Sequence, residues 1–197
     1  MIFLPSHIYH LYNQGNNRQT LFSSRENYLF FISKIRKLIL PHAHILAWCL
    51  MPNHYHILLK VHDKYPIKSE SKVGKLNKAI GTIQSSYTRA INKKSNRSGS
   101  LFRQRAKAKS LDENHLINDN YLINCFLYIH QNPLRAGLVD RLESWTYSSY
   151  LDYAGLRNGD LCNKELALEL MALNTNLIDF KLFSQRTIPA QFYQNFE

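Results

Sequence analysis

Two of the nine histidines, His54 and His56, flank a single residue inside Met51-Pro52-Asn53-His54-Tyr55-His56-Ile57-Leu58-Leu59. Side chains alternate across a strand, so both imidazoles fall on one face and can chelate one divalent ion. Tyr55 then points to the other face, toward packing. Alone, the triplet is as consistent with two structural or exposed histidines as with a metal site. A second set lies in Tyr128-Ile129-His130-Gln131-Asn132-Pro133. Tyr128 and Asn132 stand at i and i+4 and share a helix face. An amide oxygen can be a third metal ligand, and a phenolic oxygen one turn earlier would lie beside the same ion. Leu122, Phe126 and Ile129 line a different face suited to packing. Taken alone, Tyr128 reads first as a half-buried aromatic with its hydroxyl in water. Tyr87 competes as the reactive tyrosine, but it lies in an apolar helical stripe and Ile91 at i+4 cannot bind metal. We read Tyr87 as packing or nucleic-acid contact.

The elements that must carry these residues follow from hydrophobic period and breakers. His7 to Asn13 reads as a strand ending in Gln14-Gly15-Asn16-Asn17. Ser24 can cap a helix to about Leu40, with Leu29, Ile32, Ile35 and Ile39 at helical spacing and Pro41 beyond its end. Ala43–Leu50 and Tyr55–Val61 read as strands joined by a turn at Met51-Pro52-Asn53. A helix from about Val73 to Lys94 shows Val73, Leu76, Ile80, Ile83, Tyr87 and Ile91 on one face. Leu101–Ser110 reads as a fourth strand. Asp112 can cap a further helix, which ends near Asn132 because Pro133 disfavours helix before it. Trp145–Tyr153 is a short aromatic segment, and about Asn163–Leu173 another helix; the tail after Asn174 carries no clear signal.

The expected fold is α+β. It has a ferredoxin-like βαββαβ core with an antiparallel sheet and helices on one face. A helix carrying the tyrosine and a C-terminal helical extension follow. We place the catalytic domain at residues 1–135 and an aromatic and helical extension packed on it at 136–197.

The formal net charge is +11. Between Lys60 and Lys109 stand 14 Lys and Arg against two acids, Asp63 and Glu70, so that window carries +12 and the rest of the chain −1. Localised charge of this kind suits a polyanion, although charge alone fits a solvated basic face equally well. An anionic membrane surface fits less well, because the stretch is not one amphipathic helix. No apolar run is long enough to span a bilayer and no signal peptide is read, so no membrane partner is expected. Three distant cysteines without a CxxC argue against a disulfide framework or a cysteine zinc site and suit a reducing cytoplasm.

The Met51–Leu59 and Tyr128–Val139 segments together resemble the IS200-like, HUH-type tyrosine transposases, most of all the REP-associated branch. So do Gly15-Asn16-Asn17-Arg18, Ser86-Tyr87-Thr88-Arg89, Leu101-Phe102 before a basic strand, and Trp145-Thr146-Tyr147-Ser148-Ser149-Tyr150. The resemblance covers roughly residues 7–153. It implies Mg2+ or Mn2+ held by His54, His56 and Asn132, with Tyr128 as the nucleophile. The tyrosine would form a 5′-phosphotyrosyl link on hairpin-bearing single-stranded DNA. Phosphate contacts are expected from Arg18, Arg89, Arg97, Arg103, Arg105, Lys107 and Lys109. Relatives often carry Gln-Gly-Arg after the Leu-Phe pair, where this chain has Arg103-Gln104-Arg105. The Gly-Thr-Trp-Trp motif of the REP-associated branch does not occur, the two tryptophans being Trp48 and Trp145. The branch implies a monomer rather than a homodimer. Two other readings remain open at this point: a non-catalytic nucleic-acid binder on the same scaffold, and a small metalloprotein unrelated to DNA.

Overall fold

In the computed structural model the alternation of His10, Tyr12 and Gln14 with Tyr9, Leu11 and Asn13 gives a strand covered on both sides, β1 (Ile8–Gln14). The structure describes residues 1–66, 74–112, 121–173 and 177–193. After β1 come α1 (Arg25–Ile39), β2 (Ala43–Met51), β3 (His54–Val61), α2 (Lys75–Lys94), β4 (Lys107–Ser110) and α3 (Tyr121–Arg135). Four short helices follow: α4 (Tyr150–Tyr153), α5 (Lys164–Leu170), α6 (Leu177–Ser184) and α7 (Ala190–Tyr193). The sheet order is β2-β3-β1-β4, antiparallel throughout. That is the expected split βαβ arrangement. Among the described residues no helix is long and apolar enough to cross a membrane.

The two sheet faces carry different helices. Tyr55 faces α1 and α2, its ring 5.1 Å from that of Phe31 and its hydroxyl accepting from Gln84 Nε2 at 2.8 Å. His56 faces the opposite side, where α3 lies with the Tyr128 ring 5.2 Å away. The core helices thus share one face, as expected, and the tyrosine helix takes the other.

Several local expectations are corrected. The buried stripe of α1 is Tyr28, Phe31, Ile35 and Ile39, while Leu29 is exposed. Two apolar stripes overlap on this helix, and the aromatic one has the larger surface to bury. Ser24 stands at the N-cap position without a capping hydrogen bond. Val73 lies outside the described residues. Strand β4 is shorter than Leu101–Ser110. Tyr12 pairs with Lys107 and Gly15 with Phe102, so three steps along β1 match five on the partner and the excess loops out. Asp112 is expected to cap a helix start that lies outside the described residues. Its carboxylate accepts from the Ile8 N–H at 2.6 Å and pins the start of β1. The described part of α5 ends at Leu170, with Asn163 accepting from the Leu166 N–H as its cap.

Helix α3 runs through Pro133 instead of stopping before it. Proline in the last turn forfeits one backbone bond, and the end is closed by other means. The Gly137 N–H bonds the Leu134 carbonyl and the Leu138 N–H the Pro133 carbonyl, both at 3.0 Å, with Gly137 at φ 66°. This is a Schellman closure, which needs a left-handed residue.

The segment after α3 covers the free edge of β2. The Leu50 N–H bonds the Tyr147 carbonyl and the Ser149 N–H the Trp48 carbonyl, both at 2.9 Å, while Trp145 Nε1 donates to the Leu50 carbonyl at 3.1 Å. The Ser149 hydroxyl also accepts from the Trp48 N–H at 2.9 Å and meets His130 Nε2 at 2.7 Å. His130 is fully buried among Phe126, Tyr153 and Phe180, and burial lowers its pKa to about 3. Cys49, Cys125 and Cys162 are buried free thiols.

These contacts set two expectations for stability. At Gly137 a Cβ would meet nothing within 4 Å, so Gly137→Ala should cost only the left-handed strain, about 1 kcal/mol. Chemical denaturation would show a larger loss if a side chain were also crowded there. For His130, the unfolded imidazole takes up a proton below its usual 6.5, whereas the folded one waits until about 3. Its contribution is therefore present above pH 6.5 and lost as pH falls. His130→Gln should remove roughly 1–2 kcal/mol of the stability difference between pH 7 and pH 5. Urea melts at the two pH values check this, and an unchanged difference would contradict it.

Candidate active site

His54 is placed by a two-residue turn, Pro52-Asn53, that the loop after β1 holds from outside. The Pro52 carbonyl accepts the Leu21 and Phe22 N–H groups at 2.7 and 3.0 Å, and the Asn53 carbonyl accepts the Gly15 N–H at 2.8 Å. A Cβ on Gly15 would stand 2.2 Å from the Gln19 carbonyl oxygen, so the tight return of this loop needs glycine. Asn53 Oδ1 lies 2.6 Å from His54 Nδ1. An amide oxygen only accepts, so His54 Nδ1 carries the hydrogen and Nε2 keeps its lone pair. The His54 and His56 rings are 5.0 Å apart on one sheet face. His56 Nδ1 lies 2.9 Å from His10 Nε2, and His56 Nε2 is a buried nitrogen with no hydrogen-bond partner.

Helix α3 brings the second pair to the first. Asn132 interacts through its side-chain amide with both His54 and Tyr128. Its Nδ2 is buried with no hydrogen-bond partner. The sequence-derived quartet of His54, His56, Tyr128 and Asn132 therefore converges. The electrostatics suit metal ligation. Burial lowers the His54 pKa to about 4, partly opposed by Asn132. Burial, with His10 and His54 adding, holds His56 well below the usual value. Both rings are neutral at pH 7, with lone pairs to give. Burial raises Tyr128 to about 12, opposed by Asn132, so its hydroxyl is protonated at pH 7.

The residues fit a divalent ion: an orphaned imidazole nitrogen and an amide lie beside a second imidazole of fixed tautomer. Among the described residues no three histidine, cysteine or acidic side chains are arranged to hold a metal ion by themselves. An ion here would rest on two imidazoles and an amide, all neutral, and keep its full charge for other ligands.

The quartet opens onto a cavity of about 390 Å³. Arg18, Arg103, Arg105 and Lys107 line it together with His54, His56 and Tyr128, and among the described residues no carboxylate does. Arg103 and Arg105 come from an irregular stretch with bends at Gln104 and Arg105, and Lys107 from the first position of β4. Of the other expected phosphate contacts, Lys109 lies outside the cavity with its ammonium 5.2 Å over the Tyr121 ring. Arg97 donates to Gln19 Oε1 at 2.9 Å, and Arg89 lines a second depression with Gln84 and Asn92, which Arg103 also borders. Tyr87 is fully buried on the far side of the sheet, its hydroxyl donating to the Leu21 carbonyl at 2.6 Å. It is a core residue and shares nothing with the quartet.

Sequence reasoning missed His10, Tyr12, Asn13 and Gln14. Their signal was present, since a run of polar side chains inside a central strand requires partners. The neighbours of Asn132 divide as well: His130 turns inward to Ser149, and Gln131 Nε2 donates to the Ser184 and Arg186 carbonyls, both at 2.9 Å. At the chain's end Phe192 and Tyr193 lie 6.1 and 5.9 Å from Tyr128, ring to ring, and the Arg135 guanidinium stacks 3.4 Å over Tyr193. A short helix so far along the chain gave no advance sign of this contact.

Comparison with known proteins bears on the identity of this arrangement. No family model matches the chain. A Haemophilus influenzae protein named for the REP-associated tyrosine transposases is 28% identical over 112 residues, which is 53% of this chain and 57% of that protein. The match thus spans little more than half the relative's length. A solved REP-associated tyrosine transposase bound to a REP hairpin superposes with a TM-score of 0.58 at 17% identity, covering 83% of this chain and 92% of that one. The second likeness speaks for the fold and the first for the sequence. The chain is thus similar to one REP-associated tyrosine transposase over about half of its sequence and shares the fold of another.

Proposed function

We propose that the chain is a metal-dependent transposase or nuclease that cleaves and rejoins hairpin-bearing single-stranded DNA through a 5′-phosphotyrosine intermediate. The observation that carries this reading is the convergence of His54, His56, Tyr128 and Asn132 at a cavity lined by four cations and, among the described residues, no carboxylate. A polyanion enters such a cavity at little electrostatic cost. Its four cations would hold phosphates on either side of the cleavage point. Tyr128 Oη would attack the scissile phosphorus, forming a phosphotyrosyl ester as the P–O3′ bond breaks. The phenolic proton is lost and the 3′ oxygen takes one up, so charge and atoms balance. The ester keeps the phosphodiester energy, and a second 3′-hydroxyl can reverse the step on a new strand. Mg2+ or Mn2+ held by His54, His56 and Asn132 would polarise the phosphate. The solved neighbour is bound to a REP hairpin, and a folded single strand of that kind is the substrate class proposed for this chain. Both the tyrosine and the histidines come from one chain, and Gln131 ties the tyrosine helix to its own C-terminal residues. That supports action as a monomer, which light scattering can test.

Incubation with labelled hairpin DNA and Mn2+, followed by a denaturing gel, tests the chemistry. The wild type should form a covalent adduct, Tyr128→Phe none, and Tyr87→Phe an adduct at near wild-type level. An adduct surviving in Tyr128→Phe would overturn the assignment, and none with any hairpin would favour a binding module without catalysis. A salt titration tests the cavity. Arg103→Ala, Arg105→Ala and Lys107→Ala should each weaken binding and lower the slope of log K against log salt by about 0.7. Arg89→Ala should leave both near wild type. Equal effects at all four positions would argue against the cavity as the binding route.

A further inference from the structure

Each ring nitrogen of the His10–His56 pair has only certain states open to it. His10 Nε2 and His56 Nδ1 are 2.9 Å apart, both rings are buried, and their planes are 24° from parallel at 5.0 Å between centroids. At that separation one nitrogen donates and the other accepts. If His10 donated, the hydrogen of His56 would sit on Nε2, the nitrogen beside Tyr128 and the cavity. The reverse arrangement puts the hydrogen on His56 Nδ1 and leaves Nε2 as a lone pair there. His56 Nε2 has no protein acceptor for a hydrogen. Hydrogen-bond satisfaction alone does not choose, because the reverse arrangement moves the buried hydrogen to His10 Nδ1; ligation does choose, because only a lone pair on His56 Nε2 can hold an ion. The same logic already holds for His54, whose Nδ1 gives its hydrogen to Asn53.

We infer that His10 is a positioning residue: it accepts the Nδ1 hydrogen of His56 and so turns the Nε2 lone pair of His56 toward the cavity as a ligand. Its place in the fold suits that task. It stands on β1, the central strand next to β3, at the register where His10 faces Leu58 and Tyr12 faces His56. Tyr12 stacks on both rings, at 4.9 Å from His10 and 5.8 Å from His56, and holds them near a common orientation. The ligand pair would thus have two unlike supports, an amide behind His54 and an imidazole behind His56. Such outer partners fix ring orientation and raise ligand basicity. The role in ligation rests on the metal reading proposed above, but the tautomer can be measured without metal.

Long-range 1H–15N correlation spectra of the metal-free protein report which nitrogen of each histidine is protonated. His56 is expected as the Nδ1–H tautomer; finding Nε2–H would overturn the inference outright. Mn2+ affinity by calorimetry or electron paramagnetic resonance is the second measurement. His10→Phe, which removes the acceptor, should weaken binding by about 10–100-fold. His10→Gln, whose amide oxygen can stand where Nε2 stands, should recover most of that loss. Equal affinity in all three proteins would overturn the positioning role. If His10→Phe fails to fold, the wild-type spectrum and His10→Gln still decide the matter. Failure of the metal reading itself would look different. Wild type and His54→Ala would then show no distinct Mn2+ site, while the tautomer measurement stands or falls separately.

Discussion

The pairing of β3 with β1 is the constraint on which everything else rests. It sets His54 opposite Gln14 and His56 opposite Tyr12. A slip of one residue would turn both histidines into the aromatic layer under α1 and α2, and bring Tyr55 to the face of α3. The register is held from several directions. Asp112 fixes the start of β1, Gly15 and Asn53 join the far ends, and Tyr55 fills the layer beneath. Each support has its own physical origin, so no single contact carries the alignment.

The second requirement is that α3 stay where the histidines can use it. Apolar packing alone would allow the helix to rotate or slide, because Phe126, Ile129 and Leu127 fit many depths in a greasy interface. Directional bonds remove that freedom. His130 engages Ser149, which is bonded in turn to both the N–H and the carbonyl of Trp48, and Gln131 engages two carbonyls at and beyond the end of α6. The interior is costly to build this way. Four imidazoles, of His10, His54, His56 and His130, are kept neutral by burial. Acid then favours the unfolded chain, where they can charge freely.

The elements and the quartet were legible because they rest on local period: two for His54 and His56, near four for Tyr128 and Asn132. The order of strands and helices followed from the same periods and from glycine and proline breaks. What sequence concealed was long-range. The Asp112 carboxylate meets the Ile8 N–H across 104 positions, a pairing that no local rule announces. Pro133 looked like a stop because the local rule is sound, yet Gly137 supplies a closure that tolerates it. The stripe chosen for α1 was wrong by a small rotation, since only the partner surface decides between two apolar faces. The basic residues divided similarly: Arg103, Arg105 and Lys107 reach the cavity through an irregular stretch of chain, while Arg89 belongs to another surface.

The edge of β2 has a consequence for how the site comes into being. Trp48 meets Ser149 across 101 positions, and Gln131 reaches the carbonyl of Arg186 across 55. A growing chain that has just released β3 from the ribosome already holds both histidines. The partners that fix α3 are still to be made. The pieces are synthesised in one order and become a site only in another, after the last third of the chain has closed over the first. Assembly governed by such distant contacts is slow compared with the formation of any one helix. The quartet is therefore something that this polypeptide acquires only once the chain has been made as far as Arg186.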